Sequence, residues 1–350
     1  MAKIPFQEKE LNIVGSYLIP GIFGVPAMER KRFDYPITPK ENMEMMMRGE
    51  KPVWIPNQWR DNNIICPYVV PDFYARAYGG IDWFGIDWQY EPMSAAAMVR
   101  PGTRRLSDIT NWKKEIVFPD LNAIDWAKDV ADNYSMLPND RFTYFVIQNG
   151  IFERIADLTS FEDTFYYLLE EQEALTEFLD ALVDWHIEFI KVIKKYYNAD
   201  MILWHDDMGS QKAPFFSPAL FKEIYTPQYQ KITKACHDEG MTIALHSCGN
   251  VELQIPSFIE SGFDAWEGQD TCNDRDMIME KYGDKIWQVG NFILEGAMSD
   301  EEAVEEIHKL VEGRARNGRF ACRFVDNRTT KGNTDLEAEL YRASRIQYAK

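Results

Sequence analysis

The chain has 350 residues, 45% of them hydrophobic, enough for one large α/β domain or two smaller ones. Lys and Arg number 38 against 56 Asp and Glu, and the formal charge of −18 opposes binding to nucleic-acid phosphates or anionic lipid. No apolar run approaches the roughly 18 residues of a membrane-spanning helix. The five cysteines (Cys66, Cys236, Cys248, Cys272, Cys322) are an odd, widely spaced set, and the N-terminus lacks a signal-peptide core, so a reduced, cytoplasmic, non-membrane protein is expected.

In chain order, residues 1–50 read as an N-terminal extension packing on the rest, interrupted by Pro20, Pro26, Pro36 and Pro39. A methionine-rich helix over 39–47 closes it, its thioethers suited to filling a core. Residues 51–350 then read as one catalytic domain. Short β-rich segments are predicted at 53–56, 142–147, 201–204, 242–245, 263–266, 286–289 and 319–324. Helices are predicted between them: 160–196, broken in two with Ser160 as an N-cap, then 218–239 and 300–317. No Gly-x-Gly-x-x-Gly turn opens any helix, and seven or eight such units fit a closed (β/α)8 TIM barrel better than an open doubly wound sheet.

Active sites of such barrels lie at the carboxyl ends of the strands. Thr-Ile-Ala-Leu-His-Ser-Cys-Gly-Asn (242–250) puts His246 and Cys248 at one such end, and residues i and i+2 of a strand point the same way. The pair suits zinc, with Cys322 on the last predicted strand as a further soft donor; a buried histidine and two inert thiols are the alternative. His205, Asp206 and Asp207 follow the strand before. Asp206 and Asp207 suit acid/base work or the orienting of a ligand, or else the capping of a loop. Trp88, Phe215, Phe216 and Trp266 fall near strand ends and offer an aromatic wall for a planar substrate, or ordinary core.

These segments resemble the uroporphyrinogen decarboxylase superfamily, and within it the zinc-dependent, corrinoid-linked methyltransferases. The resemblance rests on Glu-Asn-Met-Glu with Gly-Glu-Lys-Pro-Val-Trp-Ile-Pro (41–56), Asp-Trp-Phe-Gly-Ile-Asp-Trp (82–88), Asp-Asp-Met-Gly-Ser-Gln (206–211), Phe-Ser-Pro (216–218), His-Ser-Cys-Gly-Asn (246–250), Trp-Glu-Gly-Gln (266–269) and Gly-Asn (290–291). It implies a (β/α)8 barrel with zinc on His246, Cys248 and Cys322, and a carboxylate after the following strand as fourth ligand. Glu267 is favoured for that place, with Gln269, Asp270 and Cys272 nearby. His205, Gln211 and Gln269 join the four aromatic residues as the implied substrate pocket. The implied activity is that of the first methyltransferases of O-demethylase systems, which pass a methyl group from a methyl ether, here a methoxylated aromatic, to the Co(I) of a separate corrinoid-binding protein. The alternative within the family is a thiol methyltransferase acting on a coenzyme M-like thiol. Porphyrin decarboxylation is disfavoured, because residues 1–50 hold only Arg30, Arg32 and Arg48 where an arginine-rich segment is expected.

Overall fold

The computed structural model describes residues 4–19, 27–93, 96–269 and 271–350. Seven parallel strands form one curled sheet: β3 (Asn62–Ile65), β7 (Phe142–Ile147), β8 (Met201–His205), β9 (Thr242–His246), β10 (Ala265–Glu267), β11 (Trp287–Gly296) and β12 (Phe320–Arg328). Two antiparallel elements stand apart from it. A hairpin joins β1 (Ile13–Ile19) to β2 (Met28–Phe33), and a small sheet is built from β4 (Gly80–Ile81), β5 (Asp87–Glu91) and β6 (Ala96–Val99).

Strand alternation sorts the side chains onto two faces. Ile64, Tyr144, Val146, Met201, Leu203, Ala244, Ala265, Trp287, Val289 and Ala321 form one cluster on the concave face. Their neighbours Ile65, Phe145, Ile147, Ile202, Trp204, Ile243, Leu245 and Trp266 point outward into the helical layer. The small residues Ala244, Ala265 and Ala321 share this cluster with the large Trp287 and Tyr144, a mix of sizes that lets a curled sheet fill its own interior. Met43 and Met46, fully buried on the helix Pro39–Met47, enter the same cluster, as the sequence predicts for those thioethers. Thr38 and Glu41 close a capping box at the start of that helix.

The architecture is TIM-barrel-like, with one correction to the expected (β/α)8 count. Among the described residues there are seven parallel strands, and the predicted strand at 53–56 is not one of them. The chain there forms only an isolated parallel bridge from Asn57 to Cys322, with the Cys322 N–H donating to the Pro56 carbonyl at 2.9 Å. That bridge ties the segment just ahead of β3 to β12, the opposite edge of the sheet. The predicted helices appear, the first broken at Glu171 into Phe161–Glu170 and Gln172–Tyr197, with Ser160 accepting from the Asp163 N–H at 3.0 Å. No described helix is long and apolar enough to cross a membrane.

The small antiparallel sheet and the helix Pro71–Tyr78 are pinned to the barrel by one buried arginine. Arg154 pairs with Asp82 at 2.9 Å and with Asp72, its guanidinium lying 4.2 Å from the Phe84 ring centroid. Both carboxylates also accept loop N–H groups, so the buried charges are satisfied on each side.

Candidate metal centre

His205 and His246 end adjacent strands in direct register, two residues beyond the concave-face residues Leu203 and Ala244. Their rings stack at 4.5 Å and 12°. Each ring presents its Nδ1 to a carboxylate: His246 to buried Glu267 Oε1 at 2.6 Å, His205 to half-buried Glu153 Oε2 at 2.8 Å. The Nε2 atoms are therefore the ones left for the site. His246 Nε2 lies 3.3 Å from Cys248 Sγ and 3.8 Å from Asp207 Oδ1, and donor atoms of His205, Asp207 and His246 all lie within 4.8 Å of one another. Asp207 Oδ1 also accepts the Cys248 N–H at 2.7 Å, locking the two loops together. Gly249 makes this approach possible: its φ of 82° is in the left-handed region, and a Cβ there would meet the Gly209 carbonyl oxygen at 2.1 Å.

Behind each histidine stands an arginine. Glu267 accepts from Gln58 Nε2 at 3.0 Å and is paired with Arg323, which also reaches Gln58. Glu153 is paired with Arg76 at 3.2 Å, and Arg76 donates to Asn149 Oδ1 at 2.7 Å. Burial alone would raise both carboxylates, yet Arg323 and His246 hold Glu267 well below the carboxylate range, while Arg76 and His205 hold Glu153 at about 2. Burial lowers His205, but the charges of Glu153 and Asp207 outweigh it and its pKa is raised. The Cys248 thiol is pushed up by burial and then by Asp207.

Several sequence-predicted residues lie elsewhere. Cys322 is the principal correction. It is fully buried on the outward face of β12, in a cluster with Phe320, Phe324, Ile55 and Leu340, while its neighbours Ala321 and Arg323 face the concave side. Burial pushes its thiol up to about 12. Glu267 stands behind His246 rather than beside its Nε2. Asp206 is completely buried, its carboxylate accepting the N–H groups of Phe152 and Glu153 at 3.1 and 2.9 Å and the Tyr229 hydroxyl. It caps the helix Ile151–Leu158 from outside, and burial followed by Glu153 raises it to about 7.

Trp266 points outward, fully buried with the Arg275 guanidinium 4.3 Å from its ring centroid. Trp88 is core, donating to Asp82 at 3.1 Å with Arg76 over its ring at 5.2 Å. Phe215 and Phe216 pack on Phe152 in an aromatic cluster. Gln211 and Gln269 do meet, at 2.8 Å, with Gln269 Oε1 also accepting from Gly249 N at 3.3 Å and from Cys272 Sγ at 3.4 Å. Asp270 lies outside the described residues. The residues missed from sequence are Glu153, Arg76, Gln58 and Arg323. Only Arg323 had a signal, standing two residues after concave-facing Ala321.

The family model for uroporphyrinogen decarboxylase (URO-D) matches residues 84–322, more than half of the chain. The chain belongs to the uroporphyrinogen decarboxylase family. The URO-D match runs through β7 to β11 and into β12, so it includes the strand ends that carry His205, Asp207, His246 and Cys248. Among solved structures, this URO-D chain is similar to a methyltransferase from Methanosarcina mazei, with a TM-score of 0.63 and 15% identity over 89% of this chain and 99% of that one. At that identity the likeness is one of fold. A sugar phosphate isomerase/epimerase from Parabacteroides distasonis matches at a TM-score of only 0.31, with 13% identity over 66% of this chain and 80% of that one. Among curated proteins, delta-guaiene synthase 1 of Aquilaria crassna is 23% identical over 249 residues, 60% of this chain. The chain spans 45% of that protein's length, and its activity is not carried over.

Proposed function

We propose that the protein is a zinc-dependent methyltransferase that moves a methyl group from a methyl ether, of the methoxylated-aromatic class, to the Co(I) of a separate corrinoid-binding protein. The observation that carries this reading is the convergence of His205, His246, Asp207 and Cys248 at neighbouring strand ends. URO-D membership and the fold of the Methanosarcina mazei methyltransferase support it.

The donor set fits zinc: two imidazoles and a thiol, with both imidazoles already held at Nδ1 so that Nε2 would be the coordinating atom. In our reading His205, His246 and Cys248 hold the ion, in place of the Cys322 and Glu267 that the sequence suggested, and the fourth position is left to the substrate's oxygen beside Asp207. Bound there, zinc would supply the Lewis acidity that stabilises negative charge on a leaving oxygen. The bond from oxygen to the methyl carbon breaks with its electron pair staying on oxygen, and the electron pair of the new bond to the methyl carbon comes from the partner's cobalt. Asp207, 32% exposed, borders the open side and takes the role of orienting the substrate's oxygen. Asp206 has no part in this chemistry.

Protein loaded with zinc, mixed with a panel of methoxybenzenes, methoxyphenols and methoxybenzoates and a reduced corrinoid-binding protein, is expected to give free phenol and methylated corrinoid in equal amounts. Neither should form when metal or partner is withheld. Failure of the whole panel, together with methylation of a thiol by methylcobalamin, would replace this reading with the thiol methyltransferase.

A further inference from the structure

Both histidines of the centre are backed in the same way, by residues from unrelated parts of the chain. Behind His246, Glu267 at the end of β10 takes the ring Nδ1 at 2.6 Å, and Arg323 and Gln58 hold that carboxylate. Behind His205, Glu153 takes Nδ1 at 2.8 Å, and Arg76 holds it at 3.2 Å. Glu153 belongs to the helix Ile151–Leu158, whose first turn is pinned in turn by Asp206. An ionised carboxylate accepts hydrogen bonds and cannot donate them, so Nδ1 must carry the proton and a neutral ring must keep its lone pair on Nε2.

A ring with its proton on Nε2 would fit the same space with its lone pair turned away from Cys248 and Asp207. We infer that Glu153 and Glu267 are positioning residues, braced by Arg76 and Arg323, that fix the tautomer and ring rotation of His205 and His246 so that both Nε2 lone pairs face one point. The inference rests on reading the centre as a metal site, but the tautomers can be measured without any metal.

The test is nitrogen-15 NMR of histidine-labelled, metal-free, full-length protein at a pH where both rings are neutral. Wild type is expected to show His205 and His246 protonated on Nδ1. Glu267→Ala should shift His246 alone toward the Nε2-protonated form, and Glu153→Ala should do the same to His205 alone. Glu267→Gln, whose amide oxygen still accepts, should keep the wild-type tautomer. It also serves if the alanine variant does not fold. Zinc alone, titrated against a chelator, should bind each alanine variant about 10- to 100-fold more weakly. Nε2 protonation of either ring in wild type, or an alanine variant with unaltered tautomers, overturns the inference. Expected tautomers in a protein that takes up no zinc would uphold the positioning and overturn the metal reading instead.

Discussion

Replacing Cys322 with alanine removes one buried sulfur from a packed cluster and leaves the His205–His246 pair untouched. The sulfur is comparable in size to a methylene, worth about 0.8 kcal/mol when buried. The cavity, on the order of 20 Å³ at about 24 cal/mol per Å³, adds roughly 0.5 kcal/mol. The expected loss is therefore about 1–1.5 kcal/mol, a few degrees in Tm for a domain of this size. Metal content after dialysis against chelator-buffered zinc should be unchanged. Cys248→Ala should behave in the opposite manner. Its Sγ sits 3.3 Å from His246 Nε2 and is only partly buried, so the metal-free protein should unfold at nearly the wild-type temperature while zinc affinity falls at least ~10-fold. Measuring both variants by denaturant unfolding and by metal analysis separates the two arrangements. A Cys322→Ala protein emptied of zinc, beside a Cys248→Ala protein that keeps it, would refute the reasoning.

Gly150→Ala would put a Cβ 2.1 Å from Asp206 Oδ2, displacing the carboxylate that caps the helix carrying Glu153; a loss of about 2–4 kcal/mol in urea unfolding is expected, and wild-type stability would show that Asp206 is free to move. Trp266→Ala should cost about 3–5 kcal/mol as a core truncation while zinc affinity in the folded protein stays the same; unchanged stability with impaired substrate binding would return Trp266 to the pocket. The Glu153–His205 pair gives a pH signature in metal-free protein. Glu153 is depressed from 4.5 to about 2, so its contribution is complete above 4.5 and fades as pH falls toward 2. His205 is raised from 6.5, so its contribution is complete below 6.5 and fades as pH rises through the higher value. The stability difference between wild type and Glu153→Gln should therefore peak between those two ordinary values, and a difference that does not vary with pH would contradict the pairing.

Most of the barrel was legible because its strands are short apolar runs punctuated by helices, a pattern that composition and spacing reveal directly. The elements that were missed are those without that pattern. β3 begins Asn62-Asn63, polar residues that read as a loop, yet Asn63 is buried with its amide donating to the Pro138 carbonyl at 2.9 Å. The β1–β2 hairpin carries exposed Ile13, Val14 and Leu18 beside Glu29, Arg30, Lys31 and Arg32, so neither face alternates cleanly.

The site shows a sharper limit. His246 and Cys248 follow a strand whose parity is easily read, and their approach to each other holds. Cys322 was placed as a soft donor on the last strand without that arithmetic, because parity has to be counted from a residue already known to face inward. Ala321 is that residue on β12; it is small, and sequence alone does not say whether an alanine lines a barrel or lies under a helix. Once Ala321 faces the concave side, Arg323 must follow it and Cys322 must not, and the carboxylate that Arg323 then meets is Glu267, itself two residues past Ala265. Placing Cys322 by residue type and by family resemblance, with no parity counted along β12, thus moved a cysteine toward the centre and hid the arginine that stands behind it. Glu153 was beyond this reasoning altogether, since it reaches His205 from the first turn of a helix whose position depends on Asp206, a contact made across 53 residues of chain.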